Sequence, residues 1–150
     1  MIAVVQRVSE AQLHVNGQLH AKIDKGFVVL LGIHESDTIE DVNYLSSKIS
    51  DLRIFSDEEG KMNLDLSQVD GDILLVSQFT LIASTKKGNR PSFIEAARPE
   101  NAMPLYEEMK KQLTFKLAKP IQTGVFGADM QVSLINDGPV TIMIDSKNPS

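Results

Sequence analysis

Cysteine is absent from all 150 residues. That absence excludes a disulfide framework, a thiolate nucleophile and any zinc site built on cysteine, and it permits a reducing compartment. Long apolar runs are absent too: the longest, residues 27–31, is far too short to span a bilayer, and the opening MIAVVQRVSEAQ has no basic stretch followed by an apolar one. Both features argue against secretion and membrane insertion, so the cytoplasm is the expected location. Excess positive charge is missing as well. A net charge of −5 does not suit a protein that coats long nucleic acid, whose non-specific affinity comes from many lysine and arginine contacts, yet it leaves room for recognition of a short RNA end. Finally, there is no Gly-x-Gly-x-x-Gly or Walker-type loop and no His-Glu-x-x-His helix, which removes the usual signals of nicotinamide, nucleoside-triphosphate and zinc-protease chemistry. No cofactor and no metal are expected.

What is present describes a soluble globular chain. The composition is 42% hydrophobic and 23% charged, with 9 glycines and 6 prolines, close to the average for folded domains. A chain of this length buries roughly 70% of its unfolded surface. One domain over residues 1–150, without repeats or linkers, is the expectation.

Runs rich in β-branched residues predict strands at 2–8, 12–15, 18–23 and 27–33, with Asn16-Gly17 as a tight hairpin signal. Ile39, Val42, Leu45, Ile49 and Leu52 recur at helical spacing, with Asp37 and Glu40 as a capping-box-like start. A short strand is expected at 53–55, and a long central one at 72–83, whose apolar residues are continuous from Ile73 to Val76. Residues 84–98 read as a surface loop. A second helix is predicted over 101–113, with Asn101 as N-cap and Pro104 in its first turn. Strands at 121–126, 130–135 and 140–144 complete the chain, the last two joined by a turn at Asn136-Asp137-Gly138-Pro139. The order of elements gives an α+β fold.

Few side chains offer chemistry. His14 and His20, on opposite arms of the first hairpin, have no metal-ligand spacing, and His34 lacks a nucleophile elbow or triad partner. Elimination leaves hydroxyls, amides and backbone groups. Ser77-Gln78-Phe79-Thr80 places three polar side chains in an otherwise buried strand, where they need partners that a ligand can provide. Strand alternation accounts for the same pattern without a ligand, with Gln78 and Thr80 on a solvated face and Ser77 and Phe79 inward. Lys86, Lys87 and Arg90 fit a solvated loop or an RNA contact whose only aromatic companion is Phe93.

Taken together, Ala3-Val4-Val5-Gln6-Arg7-Val8, Ser77-Gln78-Phe79-Thr80-Leu81, Gly88-Asn89-Arg90-Pro91-Ser92-Phe93 and Asn136-Asp137-Gly138-Pro139-Val140-Thr141 resemble, in order and over essentially the whole chain, the D-aminoacyl-tRNA deacylase family. The resemblance implies a compact, barrel-like, mostly antiparallel sheet flanked by two main helices. It implies a homodimer with active sites at the interface, where the Ser77–Thr80 segment of one subunit meets the Gly138-Pro139 turn of the other. It further implies a cis Gly138-Pro139 bond whose carbonyls exclude L side chains, with glycyl-tRNA as a secondary substrate. The same resemblance puts Ser77 and the Phe79 N–H near the oxyanion, Gln78 near the terminal adenosine, Thr80 near the amino group, Arg7 behind the Gly-Pro turn, and Lys86, Lys87 and Arg90 against the tRNA acceptor end. Hydrolysis assisted by the neighbouring 2′-OH is the preferred mechanism, since no base stands ready to activate Thr80 as a nucleophile. The rivals are an RNA-end or protein-binding module without turnover and a generic ester hydrolase.

Overall fold

The computed structural model describes residues 1–149. Two apolar runs form its centre: strand β3, Gly26–Gly32, and strand β6, Asp72–Ser77, pair in parallel from Gly26 opposite Asp72 to Leu31 opposite Ser77. Because successive side chains point to opposite faces, a strand without polar alternation must be covered on both. Phe27, Val29 and Leu31, with Ile73 and Leu75, enter the larger core beneath the helices, while Val28, Leu74 and Val76 enter a smaller one inside the sheet. Each fully buried side chain of this size contributes about 1.5–3 kcal/mol.

Around this pair the sheet curls into a nearly closed barrel. Strand β1, Ile2–Val15, is one continuous strand and not two; its first half pairs with β3, its second half with β2, Gln18–Ile23, and its other edge carries β8, Met130–Asp145, along its length. These three pairings are antiparallel, whereas β6 joins β3 and the short β7, Gln122–Thr123, in parallel. A separate two-stranded ribbon, β4 at Phe55–Ser56 and β5 at Met62–Leu64, lies outside the barrel. The expected strands at 53–55 and 121–126 thus shrink to two residues each.

Both helices form where periodicity places them, with different ends. Helix α1, Ile39–Asp51, buries Val42, Leu45 and Ile49, but its capping box is Thr38 with Asp41, one position beyond the expected pair. The Asp41 carboxylate accepts the Thr38 N–H at 2.8 Å, and Thr38 Oγ1 accepts the Glu40 N–H at 3.3 Å. Asp37 is occupied elsewhere. Helix α2 runs from Pro99 to Leu117, longer at both ends than expected, because its apolar face continues to Leu117 and Ala118 closes it in the left-handed region at φ 56°. Its N-cap is Arg98, not Asn101; Pro99 takes the first turn, and Pro104 lies inside the helix, where its missing N–H forgoes a helical bond.

The chain ends are clasped together at the start of α1. The Met1 ammonium donates to Asp37 Oδ1 at 2.9 Å and to Ser146 Oγ at 3.0 Å, and neither charged partner of the Met1–Asp37 pair is exposed to solvent. Ser146 Oγ in turn donates to Asp41 Oδ1 at 2.6 Å, and Lys147 Nζ reaches Asp41 Oδ2 at 3.2 Å. Burial pushes the Asp41 carboxyl up, but the bonds from Ser146, Thr38 and Lys147 and the lysine charge outweigh it and hold the group below its ordinary value of 3.8.

Two outcomes are expected. Asp37→Ala, which strands a buried ammonium, should lower unfolding free energy by about 3–5 kcal/mol in urea titration. For Asp41, a depressed folded value means that its stabilisation is complete above pH 3.8 and is lost as the pH falls through the lower folded value. Asp41→Asn should therefore flatten the acid limb of a stability–pH curve below that point, and an unaltered limb would assign the acid sensitivity to other carboxyls.

Candidate active site

The parallel ladder delivers the segment that carries the candidate chemistry. The Gln78 N–H continues it by donating to Leu31 O at 2.8 Å; the chain then leaves the sheet in a 3-10 turn, Phe79–Leu81, with Leu81 N–H on Gln78 O at 3.2 Å and Ile82 N–H on Phe79 O at 2.9 Å. Gly32 makes room for that departure, since a Cβ there would lie 2.8 Å from Leu81 Cβ and 3.2 Å from Gln78 O. The expected strand over 72–83 thus stops at Ser77, and strand alternation no longer governs the side chains that follow. Ser77 and Gln78 are half-buried, Thr80 is exposed, and Phe79, expected inward, is 57% exposed with its ring edge-on to Phe93 at 5.1 Å. The Gln78 amide donates to Thr80 Oγ1. The Phe79 N–H, which precedes the first bond of the turn, has no backbone acceptor among the described residues.

Opposite Val76, Ser77, Gln78 and Phe79 stands a second wall, Gly127, Ala128, Asp129, Met130 and Val132, enclosing a cleft of about 260 Å³. Sequence reading missed this wall, and Asp129 with it, because a carboxylate in a turn is the commonest of surface features. It also missed Tyr106, which ties the two walls together. From α2 its hydroxyl donates to Leu75 O at 2.9 Å, two residues before Ser77, and its ring packs edge-on to Phe126, one residue before Gly127. Burial, joined by the charge of Glu107, raises the phenol pKa and keeps it a neutral donor.

The Gly138-Pro139 segment lies between two β-paired stretches, as expected, but these belong to one strand. Residues 130–136 and 141–145 are not two arms of a hairpin; both run antiparallel to β1 within the single strand β8. Between the pairs Gln6 with Thr141 and Val8 with Asn136, residues 137–140 leave the ladder opposite Arg7, with Asp137, Gly138 and Pro139 turned outward, Val140 turned back into the core, and a cis Gly138-Pro139 bond. Arg7 Nε donates to Asp137 O at 2.9 Å and Nη1 to Ile54 O at 2.6 Å, so one guanidinium joins the loop to the chain before β4. Asn136 completes the hold, accepting the Val140 N–H and donating to Thr141 Oγ1, both at 3.0 Å. Asp137, Gly138 and Pro139 are exposed, and neither Gly138 nor Pro139 lines the Ser77 cleft of the same chain.

Lys86, Lys87 and Arg90 line another cleft, of about 490 Å³, with Ser84, Ser92 and Glu95. His34 adjoins one of these lining residues: its Nε2 lies 3.7 Å from Glu95, while Nδ1 accepts the Ser36 N–H at 3.1 Å and contacts Ser36 Oγ at 2.9 Å. Among the described residues no group of His, Asp and Glu forms a metal site.

Residues 4–145 match the sequence model of the family described as D-Tyr-tRNA(Tyr) deacylase. The chain is 63% identical over 148 residues to a D-aminoacyl-tRNA deacylase of Cytophaga hutchinsonii and 58% identical to one of Flavobacterium psychrophilum, covering 99% of each chain in both comparisons. A solved structure of a c-Myc DNA unwinding element binding protein superposes with a TM-score of 0.91 at 41% identity, with full coverage of both chains.

Substitutions at the outward loop have defined expectations. At Gly138, where φ is 134°, an added Cβ would lie 3.0 Å from Val140 N and 3.1 Å from Arg7 Nη2. Gly138→Ala should cost about 1–3 kcal/mol in denaturant unfolding. Arg7→Lys, which keeps the charge but loses the planar fork that bridges two carbonyls, should speed hydrogen exchange at the Val140 amide. Unchanged exchange would assign the loop's hold to Asn136 alone.

Proposed function

The chain belongs to the D-Tyr-tRNA(Tyr) deacylase family, and from that premise we propose that it hydrolyses the ester linking a D-amino acid to the 3′-terminal ribose of tRNA, as part of chiral proofreading in translation. The products are the free D-amino acid and tRNA with its terminal hydroxyl restored. The observation that carries this reading is the turn after β6, whose Ser77 and Phe79 line one cleft and whose Phe79 N–H has no backbone acceptor among the described residues. Donors held rigidly where negative charge develops are the largest single source of acyl-transfer catalysis, each worth about 10²–10³ in rate.

Ser77 and the Phe79 N–H bind the oxyanion, Gln78 faces the terminal adenosine and Thr80 the substrate amino group. The 2′-OH beside the ester orients the attack, which suits a Thr80 hydroxyl whose side-chain partner among the described residues is the Gln78 amide and not a base. The enzyme acts as a homodimer in which the Gly138-Pro139 loop of one protomer enters the Ser77 cleft of its partner and leaves no room for an L side chain. Support comes from the exposure of that loop and from Ile135 and Met143 on the same strand, 53% and 68% exposed. Exclusion by contact cannot reject glycine, so glycyl-tRNA is a second substrate. Lys86, Lys87 and Arg90 meet the acceptor end, and the cytoplasm, where charged tRNA resides, is the compartment this reading requires. A second reading, nucleic-acid binding without turnover, draws on the basic cleft and on the name of the structural neighbour.

Purified protein should release amino acid from D-tyrosyl-tRNA and glycyl-tRNA and spare L-tyrosyl-tRNA; binding without release would favour the second reading. Ser77→Ala should lower kcat about 10²-fold. On a substrate ending in 2′-deoxyadenosine, turnover should collapse, whereas Thr80→Ala should remain active. Near-full rates on the deoxy substrate would reject assistance by the 2′-OH.

A further inference from the structure

The outer side of α2 carries four exposed residues in one row. Met103, Glu107, Lys111 and Phe115 follow one another at four-residue spacing on the side turned away from buried Met109, so each stands one turn beyond the last. Met103 is 45% exposed and Phe115 85%. Among the described residues neither Glu107 nor Lys111 has an oppositely charged group within 4.0 Å. Beside the row, between Lys111 and Phe115 on one flank and Glu108, Gln112 and Lys116 on the other, lies a hollow of about 350 Å³. This hollow is the groove that separates two neighbouring four-residue rows of the helix surface.

The order of the row, apolar, acidic, basic, apolar, is its own complement when reversed. A two-fold axis level with Met109 sets Glu107 against Lys111 of a second copy and Lys111 against the copy's Glu107, and it brings each Met103 to the other's Phe115. A parallel arrangement would set glutamate on glutamate and lysine on lysine. We propose that this row docks α2 of a second copy of the chain, antiparallel, at the crossing of about −50° that lays the four-residue rows of two helices into each other's grooves. Met103 of one copy then enters the hollow beside Phe115 of the other, a thioether against an aromatic ring. One helix row buries less than the roughly 1,200 Å² at which stable interfaces begin, so the contact is weak and depends on concentration. It uses a different element from the β8 loop of the proposed dimer, so it joins dimers into tetramers, and it does not rest on the deacylase reading.

Sedimentation velocity over a concentration series tests the proposal. The unaltered protein should form, as concentration rises, a species of twice the mass of the one that persists on dilution. Glu107→Lys and Lys111→Glu each set like charges face to face at both pairs, and each should move the midpoint of that association to protein concentrations higher by about tenfold or more. An equal mixture of the two variants should restore it, because the lysines of one then face the glutamates of the other at both positions. Phe115→Ser, at a side chain 85% exposed, should weaken the association while leaving the urea midpoint of unfolding in place. A single species at every concentration, a larger species indifferent to these substitutions, or a mixture that associates no better than either variant alone would each overturn the proposal.

Discussion

The parallel ladder between β3 and β6 is the constraint on which the rest of the molecule depends. Both strands are apolar on both faces, so one face must be covered by the helices and the other by the curled sheet. That double burial fixes where β6 ends. It also fixes the bond from the Gln78 N–H to Leu31 O, the last rung before the chain turns away. The first polar residues after the apolar run are Ser77, the last paired residue of β6, and Gln78, and just past them the backbone N–H of Phe79 is released from the sheet. The site is a termination of the core more than an addition to it, and Tyr106 reinforces the termination by anchoring Leu75 from above.

A second consequence is a division of labour between elements. The β6 turn contributes one wall of the cleft, residues 127–129 with Met130 and Val132 of β8 contribute the other, and β8 also carries a loop, Gly138-Pro139, that does not line the cleft of its own chain. Tyr106 links the two walls, by a hydrogen bond to Leu75 and by packing on Phe126, while Arg7 and Asn136 hold the loop.

Legibility in the sequence followed the range of the forces involved. The apolar runs of β3 and β6, the helical spacing of Val42, Leu45 and Ile49, and the Asn16-Gly17 turn, with φ of 53° and 77°, are local signals and were readable. The end of β6 at Ser77 was not, because the residues through Ala83 have strand propensity and only packing against Gly32 decides where the chain bends. The outward loop of β8 read as a turn between two separate strands for a related reason: Asn-Asp-Gly-Pro is turn chemistry, and nothing local tells a turn that starts a new strand from one that lets the chain resume beside the same neighbour. Pro104 and Asn101 misled together, each suited to a helix start that the earlier Pro99 had already provided. The four site segments were legible as a pattern, whereas Asp129 and Tyr106 matter only through partners distant in sequence.

Among the described residues strand β8 pairs with β1 alone, which leaves its sixteen residues along an open edge. An uninterrupted edge of that length would be an invitation to indiscriminate strand addition and fibril growth. The excursion at 137–140 breaks it into two shorter stretches that no straight intruder can follow across. The exposed Asp137, Gly138 and Pro139 therefore also guard against aggregation, so their mutational tolerance should reflect solubility in the crowded cell as well as the fit of the loop to its own strand.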